Sequence, residues 1–180
     1  MNFILFGFKS CGKTTYGKLL AEKLERPFID TDEIIRTLFK EEQNEDLTPR
    51  EIYQKLGEEA FRALETRAVK MLEQEKDAVI AVGGGTLLNP EHVQMVQKIG
   101  RLIYLEASPE VLRKRILRED LPAFLTGEEE LTELMRIRLP IYEAIDAKRI
   151  NIEILDDAAV ISALRSIVLL DAMDFFPQFE

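Results

Sequence analysis

One cysteine, Cys11, and one histidine, His92, occur in the 180 residues. That excludes an intramolecular disulfide and any His/Cys cluster around a metal. Positive charge is also scarce. Lys and Arg number 24 against 33 Asp and Glu, a net charge of −9, so no broad surface for nucleic acid or anionic membrane is expected. An anionic ligand must instead be held by a local group of Lys and Arg inside an acidic shell. No apolar run approaches the ~20 residues of a membrane span. The apolar run at 3–6 follows no basic leader, so no secretory signal is expected and the expected location is the cytoplasm.

What is present suits one folded unit. Hydrophobic residues make up 46% and charged residues 32%, the proportions of a globular protein. The length fits a single domain, 1–180, with a core of its own. Apolar runs at 3–6, 78–82 and 102–105 read as strands, with weaker ones at 28–29 and 150–155. They lack polar alternation, which points to strands buried on both faces in a parallel sheet. Helical spacing runs through 14–24, 58–75, 109–118, 129–144 and 158–170; in the second, Phe61, Leu64, Ala68, Met71 and Leu72 form one apolar stripe. The alternation predicts an α/β fold with right-handed crossovers. Residues 40–48 and 119–130 read as connections, either plain loop or lid. The tail 174–180 is too aromatic for a pure linker.

Gly7-Phe8-Lys9-Ser10-Cys11-Gly12-Lys13-Thr14 fits G-x4-G-K-[ST]. Such a loop must curl so that successive backbone N–H groups face phosphate oxygens, and Gly7 and Gly12 permit the angles. A helix opening at Lys13 adds its positive end. Lys13 supplies a point charge to the β- and γ-phosphates, and Thr14 a hydroxyl ligand for Mg²⁺. The loop follows a buried-type strand and opens an amphipathic helix, as a nucleotide site requires. Cys11 has no base partner nearby and reads as an inert small residue.

Four further motifs are ambiguous alone. Asp30-Thr31-Asp32 places two carboxylates at a strand end, where one can reach metal-bound water and the other an acceptor hydroxyl. Taken alone it reads more readily as a cap, with Asp32 or Thr31 opening a helix over 33–39. In Phe61-Arg62-x-x-Glu65, Glu65 can orient the guanidinium, or Arg62 is simply solvated. Gly83-Gly84-Gly85 ends a strand where such sheets bind ligands, and three glycines suggest that something approaches the backbone closely. In Arg138-Leu139-Pro140-Ile141-Tyr142, Pro140 is expected to interrupt a helix so that Arg138 projects from the break, unless it too is solvated.

Taken in order and spacing over residues 3 to about 142, these motifs resemble the shikimate kinase family. The resemblance implies a three-layer α/β/α fold with a five-stranded parallel sheet of order 2-3-1-4-5. It also implies a substrate-binding region near 32–62 and a mobile lid near 116–127, as in nucleoside monophosphate kinases. The implied reaction moves the γ-phosphate of ATP to shikimate, giving shikimate 3-phosphate on the route to aromatic amino acids. By motif, Ser10, Cys11, Gly12, Lys13, Thr14 and Thr15 would hold the nucleotide, with Thr14 and the water shell near Asp30 holding Mg²⁺. Asp32 would contact the ring hydroxyls, Arg62 and Arg138 the carboxylate, and Gly84 would donate its N–H to the substrate. The catalytic set is then Lys13, Asp32 and a lid arginine. That arginine is replaced by Leu121, so Arg118 is the expected substitute, while Arg115 matches the arginine beside adenine. The later adenine-loop arginine is also absent, with Ile154-Leu155-Asp156-Asp157 standing there. ATP and shikimate are the expected partners and a monomer the expected state. The alternatives are a kinase of another polyol acid such as gluconate, which needs a different acceptor set, and a nucleotide-binding regulator without turnover.

Overall fold

The computed structural model describes residues 1–119, 121–125 and 127–174. Most of the aromatic tail, 175–180, and positions 120 and 126 of the expected lid lie outside them. Strand β1 (Asn2–Phe6) is buried along its whole length, which is why its sequence shows no polar alternation. It occupies the centre of the sheet. The other strands are β2 (Phe28–Asp30), β3 (Val79–Ala81), β4 (Gly100–Glu106) and β5 (Lys148–Asn151). All pair in parallel, in the order β2-β3-β1-β4-β5, with helices on both faces. This is the order the resemblance implies.

Register decides where the loops meet. Leu5 pairs with Ala81, and Ala81 with Asp30. Three adjacent strands therefore end level, and the chain leaves them as Gly7, Thr31 and Gly83 on one rim of the sheet. In open parallel sheets that rim is where ligands bind. The start of β1 is fixed just as firmly. Asn2 is 1% exposed; its Nδ2 donates to Glu75 O (2.8 Å) and Ile99 O (3.1 Å), and its Oδ1 accepts from Ala78 N (3.0 Å). Asn2→Ala would take its side-chain partner from three backbone groups, one bonded in the buried interior and two in partly buried positions. A loss of about 2–4 kcal/mol is expected, to be read as a lower urea midpoint with an unchanged slope.

The helices are α1 (Lys13–Leu24), α2 (Thr31–Gln43), α3 (Pro49–Leu56), α4 (Glu58–Met71), α5 (Pro90–Ile99), α6 (Pro109–Ile116), α7 (Glu128–Glu143) and α8 (Asp157–Asp174). Helices α2, α3 and α4 share a small core of their own around Ile35, Phe39, Ile52, Phe61 and Leu64, separate from the sheet core. That stands them up as a wall beside the sheet rim.

Several expectations need correction. The connection 40–48 is only 44–48, because α2 continues to Gln43, held by Asp46 bridging Arg36 (2.6 Å) and Lys40 (3.1 Å). The last strand begins at Lys148, two residues before the apolar run at 150–155, and ends at Asn151. Pro140 does not interrupt α7. One missing N–H costs a single ladder bond, and the buried stripe Leu131, Met135, Leu139 and Tyr142 keeps the helix whole.

Candidate active site

The phosphate loop is strained in the way its function requires. Gly12, the residue before α1, sits at φ +93°, and a methyl group there would lie 2.7 Å from the Tyr16 ring. Gly7, at φ +147°, is equally tight, 2.7 Å from Leu105 O. No side chain caps α1, so its first N–H groups remain available to an anion. Lys13 Nζ folds back and donates to Gly7 O and Phe8 O, both at 3.0 Å. Those carbonyls hold the ammonium over the loop. Cys11 is 0% exposed. Thr14 Oγ1 donates to Asp30 Oδ2 at 2.8 Å.

The ambiguity of Asp30-Thr31-Asp32 is resolved by one hydrogen bond. Asp30, not Thr31 or Asp32, caps the helix, since its Oδ1 accepts from Asp32 N at 3.0 Å. The helix thereby begins at Thr31, and the Asp32 carboxylate is left free to face the rim. Thr31 Oγ1 accepts from Gly83 N at 2.8 Å and ties the two strand ends together. Burial pushes the pKa of Asp32 up to about 6, and the Asp30 charge adds to this, while the ammonium of Lys13 opposes it. Asp32 is therefore ionised at neutral pH yet more basic than an ordinary carboxylate.

Gly83, Gly84 and Gly85 each make room for a different group. A methyl group on Gly83 would approach Asp32 Oδ1 to 2.9 Å, on Gly84 Lys9 N to 3.4 Å, and on Gly85 Arg62 Nη1 to 2.8 Å. The close approach suggested by three consecutive glycines is thus made by the protein's own site residues.

Arg62, on α4, pairs with Glu65, which is 3% exposed and also accepts from Thr86 Oγ1 at 2.9 Å. Thr66 Oγ1 donates to Arg62 O, and His92 bonds Thr66 Oγ1 and Thr86 O, each at 2.9 Å. Arg62 is therefore held from behind. Arg138, on α7, differs. Its guanidinium lies 5.1 Å from the centre of the Phe124 ring. Burial lowers its pKa from the ordinary arginine value, and the neighbouring Arg62 charge lowers it further. Among the described residues no carboxylate lies within 4 Å of it. Two adjacent guanidiniums, one of them desolvated and without an acid, make a site for an anion.

These groups line one cleft of about 650 Å³ between the phosphate loop, the α2–α4 wall and residues 121–124. Ser10, Gly12, Lys13, Thr14, Thr15 and Asp32 line it, as do Arg62, Gly84 and Arg138; Cys11 is buried behind this surface, and Asp30 lines a neighbouring hollow that shares Thr14. Arg115 is beside the loop, its Nη1 3.5 Å from Ser10 O. Arg118 is exposed, one turn further on, and does not line the cleft. Leu121 does line it, and its carbonyl accepts from Arg50. Tyr53 meets Phe124 with ring centres 5.6 Å apart, so α3 and the segment 121–125 are clasped together. Ser10 Oγ donates to Glu119 at 2.7 Å.

Sequence reasoning missed Arg50, Tyr53, Phe124 and Lys9. A signal for the first two existed: Thr48-Pro49-Arg50-Glu51 is a capping box, with Thr48 and Glu51 bonding reciprocally, and it announces α3.

A family model described as shikimate kinase matches residues 9–168. A shikimate kinase of Caldicellulosiruptor saccharolyticus is 38% identical over 157 residues, covering 86% of this chain and 87% of the relative. One from Caldanaerobacter subterraneus is 40% identical over 148 residues, covering 81% and 83%. The solved shikimate kinase of Acinetobacter baumannii, in complex with shikimate, superposes with a TM-score of 0.79 at 28% identity, covering 98% of this chain and 95% of that one.

Proposed function

Since the chain belongs to the shikimate kinase family, and is a phosphotransferase that uses ATP to phosphorylate shikimate, we propose how its residues divide that work. The observation that carries the assignment is the pair Arg62 and Arg138, standing across one cleft from the phosphate loop with Asp32 between. A planar carboxylate fits two guanidinium forks, and a triol fits a carboxylate acceptor.

In this assignment Arg62 and Arg138 grip the substrate carboxylate, and Gly84 N–H donates to the substrate. Asp32 accepts the hydrogen of the attacking hydroxyl as the oxygen closes on phosphorus, and ADP leaves with the bridging oxygen. Lys13 exchanges its two loop carbonyls for β- and γ-phosphate oxygens. Ser10 to Thr15 supply loop contacts, Arg115 flanks the base, and Arg118 serves the phosphates from the lid side. The transition state is loose, so orientation and charge do most of the work.

Mg²⁺ fits the donors present. Thr14 Oγ1 and the Asp30 carboxylate are adjacent hard oxygens, and a Mg²⁺ site needs only one or two such groups beside waters and phosphates. When bound, the ion would neutralise charge on the transferring phosphates.

The test is ADP release from Mg-ATP with shikimate beside two other polyol acids, one of them gluconate. Turnover with shikimate alone is expected; equal kcat/KM with gluconate would overturn the acceptor assignment. Gly85→Ala probes the carboxylate grip separately. The added methyl displaces Arg62 Nη1, so KM for shikimate should rise roughly tenfold or more, since misplacements near 1 Å can cost up to 10²-fold. KM for ATP should stay put.

A further inference from the structure

The cleft is lined by five basic side chains, and four of them are engaged. Lys13 bonds two loop carbonyls, Arg50 the Leu121 carbonyl, and Arg62 Glu65; Arg138 covers the Phe124 ring. The fifth, Lys9, has no hydrogen-bond or ion-pair partner among the described residues. It is half-buried and lines the cleft. Its backbone packs against Gly84, with Lys9 N only 3.4 Å from where a side chain there would begin. Lys9 thus leaves the phosphate loop at the point where that loop touches the glycine turn, in the cleft that Lys13 and Asp32 also line. Its charge is felt at the Asp32 carboxylate.

The cleft has need of it. Asp32, Glu65 and Glu119 already place negative charge there, and the segment Leu121, Pro122, Ala123 and Phe124 brings no cation. With Arg62 and Arg138 engaged by the substrate carboxylate, a phosphoryl group moving from the loop toward Asp32 needs a further positive charge to meet it on the acceptor side.

Resting on the shikimate phosphorylation proposed above, we infer that Lys9 is a catalytic cation of this reaction, contacting the equatorial oxygens of the transferring phosphoryl group on its acceptor side, opposite Lys13. A compact ammonium with three rotatable donors suits a group that changes position as it transfers. Lys9 forms no covalent bond and moves no proton.

The experiment compares wild type, Lys9→Met and Lys9→Arg with Mg-ATP and shikimate. Lys9→Met keeps an unbranched side chain, one atom shorter, and removes its charge. Its kcat should fall roughly 10- to 100-fold, below the loss seen on removing a main transition-state donor, with both KM values little changed. Lys9→Arg should recover most of the rate. Binding of Mg-ADP, by calorimetry, should be the same in all three. Affinity for ADP plus aluminium fluoride and shikimate, a mimic of the group in transfer, should drop in Lys9→Met alone. A Lys9→Met kcat within twofold of wild type overturns the inference. So does a slower enzyme whose ADP and shikimate affinities fall in parallel, since that marks a merely structural role. Wild type inert toward shikimate would end the functional reading and this inference with it; active wild type with an equally active Lys9→Met would end this inference alone.

Discussion

Asp32→Asn is expected to abolish useful turnover, lowering kcat by about 10²–10⁴-fold, while Mg-ATP binding stays intact. The substitution is close to isosteric, so the fit against Gly83 survives, where a methyl group would already come within 2.9 Å of Asp32 Oδ1. Helix α2 survives too, because its cap is Asp30. What disappears is a carboxylate that burial has made unusually basic. In its place an amide presents either a poor acceptor or a donor to the hydroxyl that must attack. Coupled ADP release gives kcat and calorimetry gives nucleotide affinity. A kcat within tenfold of wild type would mean that Asp32 only orients the acceptor, as a loose transition state permits.

Removing Arg62 should be nearly as damaging, but through binding. Truncating one member of a buried, hydrogen-bonded charge pair costs about 2–5 kcal/mol, or roughly 30- to 5,000-fold in kcat/KM for shikimate. Arg62→Ala also strands Glu65, a carboxylate 3% exposed, so the melting temperature should fall as well. Arg62→Lys separates the two effects. It returns a positive charge to Glu65 and hence most of the stability, yet it offers no planar fork, so KM for shikimate stays high. An unchanged shikimate KM in Arg62→Ala would show that the carboxylate is held elsewhere.

The sheet was legible because burial on both faces leaves an unmistakable trace. The runs at 3–6, 78–82 and 102–105 are apolar at every position, and they became β1, β3 and β4. The edge strand β5 left a weaker mark, since Lys148 and Arg149 are exposed, and its apolar neighbours drew the expected boundary too late. Helices α3 and α5 escaped notice for a related reason. In α3 Ile52 is the one buried residue, too little for a periodicity. Their signals were at the ends instead, Thr48-Pro49 and Asn89-Pro90. Pro140 misled because a local rule was applied without the packing that overrides it.

In the site, the phosphate loop could be read directly, since its residue types are dictated by backbone geometry. Which carboxylate of Asp30-Thr31-Asp32 caps and which is left facing the cleft could not, because both choices use the same atoms at the same spacing. Lys9 stood inside the motif at a position where any residue is allowed. Its significance comes from Gly84, which is distant in sequence and adjacent only once β1 and β3 pair.

Three glycines in a row have one more consequence. Asp32, Lys9 and Arg62 arrive from three separate stretches of chain, and each comes to rest against bare peptide at the end of β3. That turn acts as a gauge block. The spacing among Asp32 Oδ1, the Lys9 backbone and the Arg62 guanidinium is set by the thickness of main chain, not by bonds among the three groups. It therefore does not depend on the Tyr53–Phe124 contact or on the two carbonyl bonds of Lys13.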